Sequence, residues 1–344
     1  MKNNEWLVPD YFKKFSCKTD KCRSTCCSRW RIPVSKAAYE RIITADCSDE
    51  LSKRISLGFK EPEIISEERY RLIDFNWLGE CQLYQDGLCL LHKEKGEQFI
   101  PEICRLFPRS YKRINDQNMA ICSNACERTV ELIYDSENLN LTKTELNTSA
   151  NNISTVSQED VEMILKFQKI FSDKTNSLSH NIEKVCLLVN EEAFKHDSLQ
   201  ADDPIQMAIE VLETLVNRFS ILSDYAETVI NRYRNNEVLY RRDCVAFEER
   251  FPDWMRFFEN LINNSMMYEN FPFVDSRFDK TDAYKGLCAT YGLLRFLCVG
   301  YTSQHPLKED LIDVCAALFH LVDHSPFYYN INVIVKYPAL LLKL

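Results

Sequence analysis

Cysteine is the residue type in this chain whose number and spacing could do chemistry. Ten of the fifteen cysteines fall within the first 126 residues, and two of them are adjacent. In chain order they are Cys17, Cys22, Cys26, Cys27, Cys47, Cys81, Cys89, Cys104, Cys122 and Cys126. Thiols concentrated in this way serve either disulfide bonds or a metal site, and the redox state of the compartment decides between the two.

The compartment is predicted from what the sequence lacks. Residues 1–10 contain neither the apolar core nor the small-residue cleavage site of a secretory signal. No stretch reaches the roughly 18 apolar residues that a spanning helix needs. We therefore expect a soluble, cytoplasmic protein with reduced thiols, in which the N-terminal cysteines bind metal. The other cysteines are interpreted as buried free thiols: Cys186, Cys244, Cys288, Cys298 and Cys315.

The spacing of the N-terminal cysteines limits the kind of metal site. Structural zinc sites favour Cys-x-x-Cys pairs, often with histidine, but no such pair occurs here and His92 is the only histidine in this part. An all-thiolate set on separate loops suits an iron–sulfur cluster of the 4Fe–4S type, with zinc as the open alternative. A radical-SAM triad, Cys-x3-Cys-x2-Cys, is disfavoured because Cys27 stands at the wrong offset after Cys22 and Cys26.

The elements that must position these cysteines are short. Residues 1–135 predict an irregular, cysteine-rich metal-binding module in which turns separate brief helices and strands. Ser35 can cap a helix over residues 35–43. Asp86-Gly87 is a tight-turn signal, so we expect a small hairpin that carries Cys81 and Cys89.

The remainder of the chain has a different character, and the fold class is mainly α. Residues 136–158 are rich in Asn, Ser and Thr and predict a linker. Residues 159–344 show apolar side chains at helical spacing and predict an α-helical domain, a bundle of about six to eight helices. Seven glycines in 344 residues are too few for doubly wound or barrel folds, which agrees with this prediction.

Charge is distributed unevenly along the chain. The net charge is −9, of which residues 1–126 contribute +3 and the remainder −12. An acidic lobe could attract a basic partner over long range, although a solvated acidic surface that aids solubility is the simpler interpretation. The balance disfavours general nucleic-acid binding, which needs a basic face.

A set of motifs links these cysteines to a known family. The motifs are Phe15-x-Cys17-x4-Cys22-x3-Cys26-Cys27-x2-Trp30-x-Ile32, Cys81-x-Leu83, Asp86-Gly87-Leu88-Cys89-x2-His92, Pro101-Glu102-x-Cys104-Arg105-x-Phe107-Pro108-Arg109, and Cys122. Together they resemble the opening module of the flagellin lysine-N-methylase family, which is shared with a wider group of zinc- or iron-chelating proteins. The chain departs from the family pattern at Cys122-Ser123-Asn124, where the family tends to Cys-Pro-Glu.

The resemblance implies an activity and a set of metal ligands. The activity is transfer of a methyl group from S-adenosylmethionine to lysine side chains of flagellin, as expected of a cytoplasmic enzyme of the bacterial flagellum. The implied ligands are Cys17, Cys22, Cys26, Cys27, Cys81, Cys89, Cys104 and Cys122. Cys47 and Cys126 lie off the family pattern. The donor site and the catalytic base carry no motif, and a non-catalytic metal-binding interaction module or a metal or redox sensor are the alternatives.

Overall fold

The protein is described by a computed structural model in which the chain forms two compact units. Residues 16–108 form the small unit, and residues 1–15 and 109–344 form the large unit. The description covers all residues except 1–4, 29, 31, 115–116, 147–153, 157, 172, 174, 217–219 and 274–278. These units differ from the predicted division into 1–135, 136–158 and 159–344.

The first strand, β1 (Glu5–Pro9), belongs to the large unit, and the chain then enters the small unit. The elements of the small unit are β2 (Pro33–Val34), α1 (Lys36–Ile43), α2 (Asp49–Leu57), β3 (Phe59–Lys60), β4 (Arg71–Ile73), β5 (Tyr84–Gln85), β6 (Leu88–Cys89), α3 (Leu90–Lys95) and α4 (Glu102–Leu106). Strands β2, β4 and β3 form one antiparallel sheet in that order. The elements of this small unit are all short. Their buried side chains form one core that consists mainly of isoleucine and leucine.

Two predictions for the small unit are confirmed. The Ser35 hydroxyl accepts a hydrogen bond from the Ala38 amide and so caps α1 at the predicted residue. Strands β5 and β6 form the expected hairpin, in which Tyr84 pairs with Cys89, but Cys81, predicted to lie in it as well, precedes β5. Asp86 and Gly87 both have positive φ, 51° and 84°, as the turn requires. The turn fixes the position of Cys89 in the short β6 strand.

The large unit continues with strands and one helix. They are β7 (Arg109–Ile114), β8 (Gln117–Cys122), α5 (Glu127–Tyr134), β9 (Leu141–Glu145) and β10 (Ser154–Val156). The five strands of this unit form one sheet in the order β10-β7-β8-β1-β9. Strands β9 and β10 both lie within residues 136–158, which were predicted to be a linker. They belong to the sheet instead, because β9 pairs antiparallel with β1 and β10 pairs parallel with β7. Residues 147–153 and 157 of that range lie outside the described residues.

Helices make up the rest of the large unit, so the prediction of a mainly helical chain is confirmed. They are α6 (Gln158–Phe171), α7 (Leu178–Ser198), α8 (Pro204–Val216), α9 (Ser220–Tyr233), α10 (Glu237–Arg250), α11 (Trp254–Glu269), α12 (Ala283–Thr302), α13 (Lys308–His324) and α14 (Phe327–Ile334). Nine helices in the described part slightly exceed the predicted number. The eight-residue α14 starts immediately after Ser325 and Pro326, which end α13, and is too short to give a clear apolar period.

Helix α12 is the centre of this bundle. It is buried along nearly its whole length, which an amphipathic surface helix would not be. Its glycines allow close approach of neighbours: a Cβ at Gly286 would stand 2.1 Å from the Tyr328 ring, and one at Gly292 would stand 2.6 Å from the Leu341 Cβ. In the described part of the chain, no helix is both long and apolar enough to cross a membrane.

Gly286→Ala is expected to destabilise the large unit. The added methyl group overlaps the buried Tyr328 ring, which cannot swing into solvent, and such overpacking costs about 1–3 kcal/mol. The midpoint of urea unfolding should fall accordingly. Glu192→Ala, on the exposed face of α7, should change the unfolding free energy little. A Gly286→Ala midpoint equal to wild type would contradict the close packing of α12 against α14.

Candidate functional site

The eight predicted metal ligands are divided between the two units. Cys122 ends β8 in the large unit. The small unit contains the other seven: Cys17, Cys22, Cys26, Cys27, Cys81, Cys89 and Cys104. Cys17 and Cys26 are exposed, whereas Cys81 is buried. The seven must therefore be considered as one group and Cys122 by itself.

Four of the seven thiols lie close enough together to influence one another's charge. The Cys104 thiol interacts electrostatically with Cys27, Cys81 and Cys89. Cys81 interacts in turn with Cys27 and Cys89, and Cys89 with Cys27, so every pair among the four is in range. We call Cys27, Cys81, Cys89 and Cys104 the four-thiol group.

Local backbone structure brings the four-thiol group together. The Cys81 amide donates a hydrogen bond of 2.7 Å to the Cys27 carbonyl, which joins two distant loops. Cys89 lies in β6 of the hairpin, and Cys104 lies in the single turn and a half of α4. The four-thiol group is therefore contributed by three separate segments of the chain: the loop with Cys27, the segment of Cys81 and Cys89, and α4.

Backbone amides point at two of these sulfurs. The amides of Leu83 and Tyr84 hydrogen bond to the Cys81 thiol, and those of Leu91 and His92 to the Cys89 thiol. Such donors stabilise the thiolate form. Burial nevertheless dominates and raises the pKa of Cys81 to about 12 and that of Cys89 to about 11. Backbone N–H groups are thus placed to bond to these two sulfurs as thiolates, although burial favours the neutral thiols.

Cys27 behaves differently from the other three. A hydrogen bond from Cys26 lowers the pKa of the Cys27 thiol to about 7, against the opposing effect of burial. The adjacent Cys26-Cys27 pair thus makes one member the most acidic thiol of the group. A metal cation would supply the positive charge that the remaining thiolates require, so the donor chemistry fits a bound metal.

The positions of the side chains do not by themselves form a metal site. Among the described residues, no group of three or more His, Cys, Asp or Glu side chains is placed to hold a metal ion. The four sulfurs are neighbours but do not converge on one point. Metal ligation by the four-thiol group therefore requires their side chains to turn toward a common centre.

The cysteines outside the predicted ligand set are mostly core residues. Cys186 and Cys288 stand 3.6 Å apart, sulfur to sulfur, and Cys298 and Cys315 have the same separation. All four are buried, as predicted for free thiols that pack as small apolar groups, whereas Cys244, predicted to be buried with them, is only half-buried. Cys126, which lies off the family pattern, interacts electrostatically with Cys122 in the large unit and raises the pKa of the Cys122 thiol.

The large unit contains a second cluster of titratable groups, which sequence reasoning missed. Lys112 of β7 is 1% exposed. Its Nζ donates to the Met267 carbonyl at 2.6 Å, to the Tyr268 carbonyl, and to Asn270 Oδ1 at 2.8 Å. A lysine ammonium thus satisfies the carbonyls at the C-terminus of α11. Burial lowers the pKa of Lys112 to about 8.

A carboxyl group of α13 lies in the same region. Asp323 Oδ2 accepts hydrogen bonds from Ser123 Oγ at 2.5 Å and from the Asn124 amide at 3.1 Å, and Oδ1 lies 3.5 Å from Ser265 Oγ. Burial raises the pKa of Asp323 to about 7 despite these donors. Ser123 and Asn124 are the positions at which the chain departs from the family pattern, and here they bind this carboxyl.

Glu269, the last residue of α11, completes the cluster. Burial and the charge of Asp323 raise its pKa well above the ordinary value, while Lys112 acts in the opposite direction. Tyr268 and Tyr328 interact electrostatically with both carboxyl groups. We call Lys112, Glu269 and Asp323, with these two tyrosines, the acid–lysine cluster. Clustered groups with opposed pKa shifts are typical of functional sites.

A hydrogen-bond network fixes the loop that binds Asp323. Tyr11 Oη donates to Asn264 Oδ1 at 2.6 Å and accepts from the Cys122 amide at 3.1 Å. Asn264 Nδ2 donates to the Cys122 carbonyl at 2.9 Å and to Asn124 Oδ1 at 2.7 Å. These bonds fix the loop after β8, which carries Ser123, against α11.

A cavity of about 530 Å³ lies beside the same helix. Its polar lining consists of amide and carboxyl side chains, namely Asn138, Asn140, Gln168, Glu259, Asn260 and Asn263. Leu139, Leu141, Phe171 and Met267 supply its apolar surface. The volume lies within the range of small-molecule sites, and amides can both donate to and accept from a polar ligand.

Comparison with known proteins identifies the family. Residues 116–335, more than half of the chain, match the FliB lysine N-methylase C-terminal domain. The chain belongs to the FliB lysine N-methylase family. The matched part of this FliB-family chain includes Glu269, Asp323 and the whole cavity lining, whereas Lys112 and the four-thiol group precede it.

Two relatives support the same assignment over a shorter stretch. Proteins named lysine-N-methylase from Salmonella typhimurium strain LT2 and Salmonella choleraesuis strain SC-B67 are each 25% identical over 156 residues. The match covers 42% of this FliB-family chain and 36% of each relative, so it spans about a third of their length. No solved structure matches this chain.

Proposed function

We propose that this FliB-family chain is a lysine N-methyltransferase that transfers methyl groups from S-adenosylmethionine to lysine side chains of flagellin. The observation that carries the proposal is the family match over residues 116–335. Methylation of lysine needs a neutral amine, a donor held in line with it, and exclusion of water. The matched part contains a cavity and an acidic charge balance that support this proposal.

The cavity beside α11 supports the presence of a donor site. Its volume of about 530 Å³ is sufficient for a nucleoside-sized molecule. Five side-chain amides can form hydrogen bonds with a purine and with an amino acid, and Phe171 and Met267 can pack against an apolar face. The chain has no Gly-x-Gly segment, so a donor site here would differ from glycine-rich nucleotide loops.

The acidic C-terminal part of the chain supports a basic protein substrate. Residues 127–344 account for a net charge of −12. An acidic surface attracts a lysine-bearing protein over long range and raises its encounter rate at low salt.

We also propose that the four-thiol group holds a metal centre, either an iron–sulfur cluster or zinc. Its support is the mutual proximity of four thiols and the backbone amides that point at Cys81 and Cys89. When bound, the metal would cross-link the loops of the small unit and hold these sulfurs as thiolates. Cys17, Cys22, Cys26 and Cys122 remain further predicted ligands.

The enzymatic proposal is tested by incubating the anaerobically purified, metal-replete full chain with flagellin and radiolabelled S-adenosylmethionine. We expect label on flagellin lysines, located by mass spectrometry of peptides. Flagellin whose lysines have been acetylated is the control and should remain unlabelled. If neither protein becomes labelled although the metal is present, the chain is a metal-binding module without this activity.

A further inference from the structure

Strand β9 (Leu141–Glu145) forms one edge of the sheet in the large unit. In the order β10-β7-β8-β1-β9, strand β1 lies on one side of β9, and no strand of the described residues lies on the other. Three of its five residues, Thr142, Lys143 and Glu145, are exposed. An unpaired edge presents backbone N–H and C=O groups that can pair with another chain.

The pairing with β1 determines which backbone groups of β9 point outward. The Asp10 amide donates to the Asn140 carbonyl at 3.0 Å, so Asn140 faces the β1 side. Hydrogen-bonded and non-hydrogen-bonded positions alternate along an antiparallel pair. In the observed register, Thr142 and Thr144 are therefore the residues of β9 that bond to β1. The residues between them direct their backbone groups away from the sheet.

The outward-directed residues are Leu141, Lys143 and Glu145. Within the described part of the chain, their outward N–H and C=O groups bond to no other element. Many edge strands use a lysine to repel a second strand. The Lys143 ammonium instead donates to Glu5 Oε1 of β1 at 2.8 Å, which turns its charge back toward the sheet. The outer edge of β9 is therefore open to pairing.

The cavity of about 530 Å³ lies beside the start of this edge. Leu139 and Asn140, which lead into β9, and Leu141, its first residue, form part of the cavity wall. Leu141 also packs against the small core cluster that contains Met267 of α11. Side chains of a strand alternate between the two faces of a sheet. Every second side chain of a strand added to β9 would thus lie on the face that holds the cavity.

The charge of the cavity wall favours a lysine side chain at this place. Glu259 is the one charged residue among the described side chains that line the cavity, and its charge is negative. Residues 127–344 as a whole carry a net charge of −12. Opposite charges attract more strongly near a protein surface than in bulk water. An extended segment that contains a lysine suits both the open edge and this charge.

We propose that an extended, lysine-bearing segment of the protein substrate adds to β9 as a further strand, with its lysine directed toward the cavity. The inference rests on the proposed function, in which this cavity holds the methyl donor. In strand addition, backbone hydrogen bonds supply affinity, and a pocket for one side chain supplies specificity. The lysine amine must meet the donor methyl group, and a strand at the edge of the cavity brings it there.

Lys143→Pro tests the edge, and Lys143→Ala is its matched control. Both substitutions remove the ion pair with Glu5, but only proline removes the outward N–H, which β1 does not use. The probes are short lysine-containing flagellin peptides, and their binding is measured by fluorescence anisotropy. We expect Lys143→Pro to bind them about 5-fold or more weakly than Lys143→Ala, the effect of losing one backbone hydrogen bond. Equal binding by the two variants would contradict the proposal.

Modified peptides test the same contact without changing the protein, and they decide if Lys143→Pro fails to fold. N-methylation of every second backbone amide removes the donors along one edge of an extended peptide. Wild type should bind one such set about 5-fold or more weakly than the unmodified peptide and the alternate set nearly as well. Equal binding of the two sets would overturn the proposal.

Two further readouts separate the explanations. A wild-type dimer that Lys143→Pro converts to a monomer, measured by sedimentation, would assign the edge to a second copy of this chain and overturn the proposal. Peptide binding with the expected pattern but without methylation would reject the proposed function and keep strand addition as the binding mode. Methylation of flagellin without that pattern would keep the function and reject this inference.

Discussion

Cys104→Ser is expected to lose most of the metal bound by the small unit. The Cys104 thiol interacts electrostatically with the three other members of the four-thiol group from a half-buried position in α4. Structural metal binding by four thiolates contributes on the order of 10–16 kcal/mol, so loss of one ligand should cost on the order of 3 kcal/mol or more. Metal content per chain, measured for iron, sulfide and zinc after anaerobic purification, should fall by more than half.

Cys47→Ser is the matched control for that experiment. Cys47 packs against the same core of the small unit but lies off the family pattern, and it does not interact with the four-thiol group in the structure. It should keep its metal. Equal metal content in Cys104→Ser and wild type would show that the four-thiol group is not the metal centre. A visible absorption band that is lost with Cys104 would identify an iron–sulfur cluster, and a colourless protein with zinc would exclude one.

Lys112→Met is expected to have the second large effect, on the stability of the large unit. Methionine fills a similar volume but leaves the carbonyls of Met267 and Tyr268 without their donor. It also leaves Glu269 and Asp323 without their nearby positive charge. Removing one partner of a buried charged group costs about 3–5 kcal/mol.

The measurement is thermal unfolding followed by circular dichroism. For a unit of this size, each kcal/mol corresponds to about 2–4 °C, so the midpoint should fall by roughly 6–20 °C. Lys195→Met is the control, because Lys195 is 62% exposed and its ion pair with Glu191 is worth little. A midpoint for Lys112→Met as high as that of the control would show that the ammonium does not support the end of α11.

Local signals in the sequence predicted local structure well. Ser35 marked the start of α1, and Asp86-Gly87 marked the β5–β6 hairpin that carries Cys89. Helical periodicity beyond residue 158 predicted the bundle. Each of these signals acts between residues that are near in the chain, where capping, turn geometry and apolar spacing decide the conformation.

Long-range pairing explains the differences from the sequence-based division of the chain. The Asn-, Ser- and Thr-rich composition of residues 136–158 indicates a linker. The β9 strand in this range nevertheless pairs with β1, which lies more than 130 residues earlier in the chain. Likewise, β7 begins at Arg109 and pairs with β8, which places Cys122 in the large unit. Strand partners that are distant in the chain leave no local pattern that predicts the pairing.

The sequence by itself determined the mainly helical class, the cysteine spacing and the resemblance to the family, since these depend on residue type and order alone. Only the tertiary structure showed that Cys27, Cys81, Cys89 and Cys104 lie close enough to influence one another's charge. It alone brought Lys112 of β7, Glu269 of α11 and Asp323 of α13 together. A charged residue in a sequence gives no sign of whether folding will bury it, and burial is what shifts its pKa.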